Sequence, residues 1–163
     1  MTPDPVLHQL ADMEILLRQG DPTVRAKNAA VSQWAVAEHI DHLTKVYRTV
    51  LLLLMKEKEV QGKGINLLGR IVLLTGFIPR GRGESPAAVR GEAKTLEQLT
   101  SALEDCHDLY QRFQSTPPSV PPQLLVFPHP FFRNLTREQA LKFLAVHYHH
   151  HRKIIRDILG AGA

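Results

Sequence analysis

One cysteine, Cys106, stands in 163 residues. A lone thiol makes no internal disulfide and cannot build a cysteine metal site. Long hydrophobic runs are also missing. The longest, Val50 to Met55, is far short of the ~20 residues that span a bilayer. The opening residues, MTPDPVLHQLADMEI, show neither a basic nor an apolar leader segment, so no signal peptide is expected and the expected location is cytoplasmic. Segments alternating apolar and polar residues in the β manner are lacking, which points away from a sheet. Charge of one sign is not in large excess: 20 cations face 16 anions, for a net charge of +4. No helix face interleaves cations with aromatics and no helix-turn-helix pattern is visible, so neither a nucleic-acid nor a membrane partner is expected.

What is present is the composition of one ordinary domain, 1–163, with 44% hydrophobic residues and enough length to hold a full core without staples. Proline and glycine divide it. The longer windows free of both are 6–19, 23–61, 92–116 and 131–159. Seven of the ten glycines fall in 62–91, and six of the eleven prolines in 117–130. This pattern predicts an all-α protein, a four-helix bundle with helices near 5–19, 33–59, 92–115 and 136–159 and long connections between them. A short extra helix is expected near Leu67–Phe77.

Apolar spacing supports each helix. The first uses Val6, Leu10, Met13 and Leu17 on one face. In the third window Leu96, Leu99, Leu103, Cys106, Tyr110 and Phe113 recur at three- and four-residue steps. Cys106 sits in that stripe, so it reads as a buried structural thiol rather than a nucleophile. The second window is apolar over a broad arc, with Val36, Ile40, Leu43, Tyr47, Val50 and Leu54 on one stripe and His39, His42, Val46 and Leu53 beside it. The fourth opens with Thr136 and Gln139 in a capping-box pattern and stops at Gly160. Its stripe is Ala140, Leu144, His147, His151, Ile154 and Ile158. Two histidines stand where leucine belongs.

The chain has nine histidines, four of them within 147–151. His147 and His151 are one turn apart on a helix and can share one metal ion through ring nitrogens. Two unpartnered buried imidazoles would each cost a few kcal/mol in desolvation, which a shared ion removes. A third ligand must come from another element, and His42 or His39 on the second helix is best placed. Three histidines leave a position open for water or substrate, the pattern of catalytic zinc sites. Imidazoles also suit nickel, iron and copper. His149 should face solvent, His150 flanks the stripe, and His8, His107 and His129 read as ordinary surface, border and loop residues. Glu38, one turn before His42, is either a group that orients an imidazole or an exposed helix-start glutamate.

Three stretches resemble the DinB-like (YfiT-like) four-helix-bundle metalloproteins. Trp34-Ala-Val-Ala-Glu38-His39-Ile-Asp-His42-Leu43 is similar to a W-x-x-x-E-x-x-x-H-L motif of the second helix. His147-Tyr-His-His150-His151 is similar to an H-x-x-H-H motif of the fourth. His129-Pro-Phe-Phe-Arg-Asn-Leu135-Thr is similar to the H-P-F-F-G-x-L-(S/T) lead-in of one subgroup. The resemblance spans nearly the whole chain. It implies an up-down-down-up bundle with long crossovers and a divalent ion, commonly zinc or nickel, held by His42, His147 and His151. The chain departs from the pattern twice: Ile154 stands for a frequent glutamine, and Arg133 for the subgroup's glycine.

Some proteins of this kind use a low-molecular-weight thiol in transferase or isomerase reactions. The leading expectation is therefore a metal-dependent, thiol-using enzyme. Its partners would be a small-molecule thiol and an electrophilic substrate, and a homodimer is allowed. Cations of the 62–91 loop, Lys63, Arg70, Arg80, Arg82 and Arg90, could meet the thiol's anionic part. The general base is unknown. The alternatives are a metal-dependent hydrolase at the same three histidines and a non-catalytic metal-binding, stress-associated module.

Overall fold

The computed structural model describes residues 4–81 and 83–160; Arg82, one of the loop cations above, lies outside them. Four long helices form the frame: α1 (Pro5–Arg18), α3 (Val36–Lys56), α5 (Leu96–Ser115) and α6 (Arg137–Ile158). Short helices α2 (Asp21–Arg25) and α4 (Leu67–Thr75) and a 3-10 turn (Ala87–Val89) occupy the connections. A two-stranded antiparallel hairpin, β1 (Leu125–His129) and β2 (Arg133–Thr136), precedes α6.

The helix ends follow local chemistry. Asp4 caps α1 by accepting from the amides of Val6 and Leu7. Thr95 with Gln98, and Thr136 with Gln139, form capping boxes on α5 and α6. Each of α1 and α3 packs on both α5 and α6, so α1 lies diagonally across from α3 and α5 from α6, and long crossovers are required. One apolar core runs through all four, with Leu10, Met13, Ile40, Leu43, Leu99, Leu144 and Ile155 fully buried. The predicted stripe of α5 is buried at Leu99, Leu103, Cys106, Tyr110 and Phe113.

The hairpin is a small addition to the all-α frame that no alternating segment announced. Its strands span only 5 and 4 residues, and Pro128 falls inside the first, so no alternation builds up in the sequence. Pro128 is exposed, as a proline in an edge strand must be. The His129 ring sets the turn: Nδ1 accepts from the amides of Phe131 and Phe132, both at 3.1 Å. Arg133 then takes a left-handed backbone with φ +66°, which closes the three-residue loop. The hairpin thus gives the H-P-F-F stretch a structural role and places His129 against the α6 side chains that lead to the histidine cluster.

Candidate metal centre

Three imidazoles from two helices meet at one point. His42 comes from α3, and His147 and His151 from successive turns of α6. His42 Nε2 lies 3.1 Å from His147 Nε2, and His151 Nε2 lies 3.2 Å from the same atom. Two metal–nitrogen bonds of ~2.0–2.1 Å at a tetrahedral angle span ~3.3–3.4 Å. The ring atoms are therefore already near the spacing an ion requires. The sequence-proposed set is the group brought together, and these three residues could hold a metal ion.

Hydrogen bonds leave the right atoms bare. His42 Nδ1 lies 2.6 Å from the Val89 carbonyl. A carbonyl only accepts, so Nδ1 carries the proton and Nε2 presents its lone pair to the cluster. His151 Nδ1 lies 2.9 Å from His39 Nδ1, and His39 Nε2 lies 3.0 Å from Ser32 Oγ. A lone pair on His151 Nε2 requires its Nδ1–H to donate to His39, whose Nε2–H then donates to Ser32. His147 Nδ1 is buried without a hydrogen-bond partner among the described residues. Its ring is oriented by packing instead, stacked on Phe143 at 5.1 Å between centroids. Phe143 in turn receives the His129 ring edge-on at 4.5 Å.

Burial keeps the set unprotonated, so its lone pairs stay free. It pushes His42 below the ordinary histidine range and His147 and His151 well below it, and neighbouring imidazoles add to the effect on the latter two. His39 is lowered by the same burial to about 4. Trp34 closes the other side, with ring centroids 5.3 Å from both His39 and His42.

A strap from the long loop holds His42 in place. Val89 supplies the carbonyl on His42. Lys45 Nζ donates to the Arg90 carbonyl at 2.9 Å and pairs with Asp41 at 2.8 Å. The Glu92 amide donates to Asp41 Oδ2 at 2.8 Å. Gly91 lets the strap pass, since a Cβ there would sit 2.0 Å from the Glu38 carbonyl oxygen.

Behind α6, Asp12 of α1 takes Arg152 Nε at 2.7 Å and the Tyr148 hydroxyl. Burial would raise this carboxyl, but the two donors hold it below its usual range.

The other expectations divide. Glu38 orients no imidazole; its Oε2 accepts from the Ala35 amide at 2.7 Å and starts α3. His39 is beside the cluster as a partner of His151. His150 is half-buried beside the cluster, its ring 5.1 Å from that of His151, and His149 is exposed. Arg80 pairs with Asp157 at 2.6 Å, while Lys63 and Arg70 are exposed. Sequence reasoning missed Ser32 and Val89. Ser32 carries no spacing signal, and Val89 acts through its backbone, which no side-chain pattern marks. Cys106 is buried, lies 3.5 Å from the Thr44 carbonyl, and is pushed up to about 12 by that burial.

A family model described as the DinB superfamily matches residues 5–155. No curated protein and no solved structure matches the chain.

Proposed function

The chain belongs to the DinB superfamily, and from that premise we propose that it is a metal-dependent enzyme using a low-molecular-weight thiol, of transferase or isomerase type. The observation that carries the reading is the convergence of the His42, His147 and His151 Nε2 atoms, with Nδ1 of His42 occupied by Val89 and that of His151 by His39. These three residues would hold a divalent ion, zinc or nickel. When bound, the ion supplies Lewis acidity that lowers the pKa of a thiol or water beside it.

The remaining work belongs to the chain. Val89 and the His39–Ser32 pair fix which imidazole nitrogens face the site. Trp34 and Phe143 limit water on either side. His147 is the partly exposed member of the three, so substrate approaches past its ring. In the proposed reaction class an external thiol forms a bond from sulfur to an electrophilic carbon. The leaving group departs with the bonding pair, and the thiol proton passes to water.

Thiol use is favoured over hydrolysis by the donor chemistry. A thiol ionises near pH 8.5 and a bulk water near 15.7, so water attack leans more heavily on a protein base. The metal cluster contains histidines alone, and Glu38 is committed to the Ala35 amide.

The test has two stages. Elemental analysis of protein purified without a nickel column should find one divalent ion per chain. Metal-loaded protein assayed with a panel of thiols and electrophiles should then transfer the thiol at a rate that His147→Ala abolishes. Absence of metal overturns the whole reading. Stoichiometric metal with no transfer across the panel favours the non-catalytic module.

A further inference from the structure

Helix α4 turns its apolar side outward. Leu67, Ile71 and Leu74 follow one another at four- and three-residue spacing and share one face; Leu67 is 73% and Leu74 83% exposed. Leu68 flanks them, and Phe77 follows just beyond the helix at 61% exposure. The orientation is fixed by the opposite side. Val72 and Leu73 are buried, and Gly69 is pressed so closely that a Cβ would meet Phe132 at 2.8 Å. Phe131, from the hairpin, extends the patch: its carbonyl accepts from Asn66 at the start of α4 at 2.8 Å, and it is also exposed.

We propose that this face is where a second copy of the chain docks. The six side chains together expose on the order of 600 Å² of largely apolar surface, at the upper edge of what a monomer carries in one patch and most of the ~800 Å² per partner of a standard interface. The patch is assembled from two separate segments, which suits a broad protein contact better than insertion of one helix into lipid. Exposed cations flank it: Lys63 and Arg70 are exposed, and Arg80 pairs with Asp157 of α6. A two-fold contact puts the leucines at the centre and keeps those cations at the solvated edge. The chain leaving α4 also leads to the metal centre, where it supplies the Val89 carbonyl to His42. Docking would therefore steady the strap as well as cover the leucines. The inference rests on the apolar face alone and stands whether or not an ion is bound.

Sedimentation velocity with light scattering tests it on the full chain at micromolar concentration. The expected mass is twice 18.3 kDa. The double variant Leu67→Glu/Leu74→Glu should weaken association roughly 100-fold or more, since it would bury uncompensated carboxylates. Its helical circular dichroism should be unchanged, because both positions are exposed. Leu74→Ser serves if the double variant does not fold. Ile15→Glu, at an exposed position of α1 (58%), should leave the dimer intact. A monomeric wild-type chain overturns the proposal, as does a dimer that survives both α4 variants. A monomer that co-sediments with phosphatidylserine vesicles would assign the face to an anionic membrane surface instead.

Discussion

His39 Nδ1 and His151 Nδ1 lie 2.9 Å apart, joining α3 to α6 through two imidazoles rather than through a carboxylate. Ser32 extends the pair 3.0 Å from the far nitrogen of His39. Partners of this kind set the tautomer and the angle of a ligating ring, and removing one typically costs 10–100-fold in metal affinity. His39 is buried at 2% exposure, so its place in the molecule is behind the three-histidine cluster rather than among the solvent-facing histidines.

His39→Gln and Ser32→Ala should therefore retain a stoichiometric ion but bind it roughly 10–100-fold more weakly. His42→Ala, His147→Ala and His151→Ala should each lose most of it. Competition with a chromophoric chelator measures both. If His39→Ala abolishes binding and His42→Ala does not, the ligand on α3 is one turn from where the geometry puts it.

The strap gives a second handle. Gly91→Ala would set a methyl 2.0 Å from the Glu38 carbonyl oxygen, a backbone atom that cannot swing aside. The strap must shift, at a cost of about 1–3 kcal/mol. Because Val89 is two residues away and supplies the carbonyl to His42, metal affinity should fall with stability. Denaturation curves and the same chelator competition would show it. A variant with lowered stability and unchanged affinity would separate the strap from the site.

How much of this was readable before the structure depends on whether side chains or backbone carried it. The α6 stripe puts histidine at 147 and 151 among Leu144, Ile154 and Ile158, so both the helix and the ligand pair follow from spacing. Choosing between His39 and His42 does not, because a broad apolar arc on α3 turns both inward; both are buried. The hairpin hid behind Pro128 and very short strands. The strap hid because its contacts to His42 and Lys45 run through the Val89 and Arg90 carbonyls.

Arg133 offers a test of the hairpin. Its backbone is left-handed at φ +66°, a conformation that costs a non-glycine residue roughly 1–2 kcal/mol. Its side chain is exposed, so little packing offsets that cost. Arg133→Gly removes the strain but adds chain entropy to the unfolded state, of order 0.5–1 kcal/mol. The net expectation is a gain of roughly 0.5–1 kcal/mol in urea unfolding. A loss would mean that the arginine side chain makes a compensating contact of larger size.

The last prediction concerns pH, and its direction follows from which state takes up protons first. In the unfolded chain histidines titrate near ~6.5. In the folded chain His39 and His129 are lowered to about 4 by burial, and His147 and His151 are pushed well below the usual range. Between those limits the unfolded state binds more protons, so stability falls as pH falls from about 6.5 toward 4 and is fully present above that window. His39 alone accounts for about 3 kcal/mol over the full interval. A bound ion adds to this, since protons and metal compete for the same Nε2 atoms. At free metal ~100 times Kd the added stability is roughly 2.7 kcal/mol, or about 5–11 °C in melting temperature for a chain of this size. Melting curves with and without chelator should therefore differ by that amount at pH 7.5 and converge at pH 5, while both shift downward. Equal melting temperatures at pH 7.5, on protein shown to lose its metal to the chelator, would mean that the ion is held apart from the folded core. The convergence of His42, His147 and His151 would then have to be explained without it.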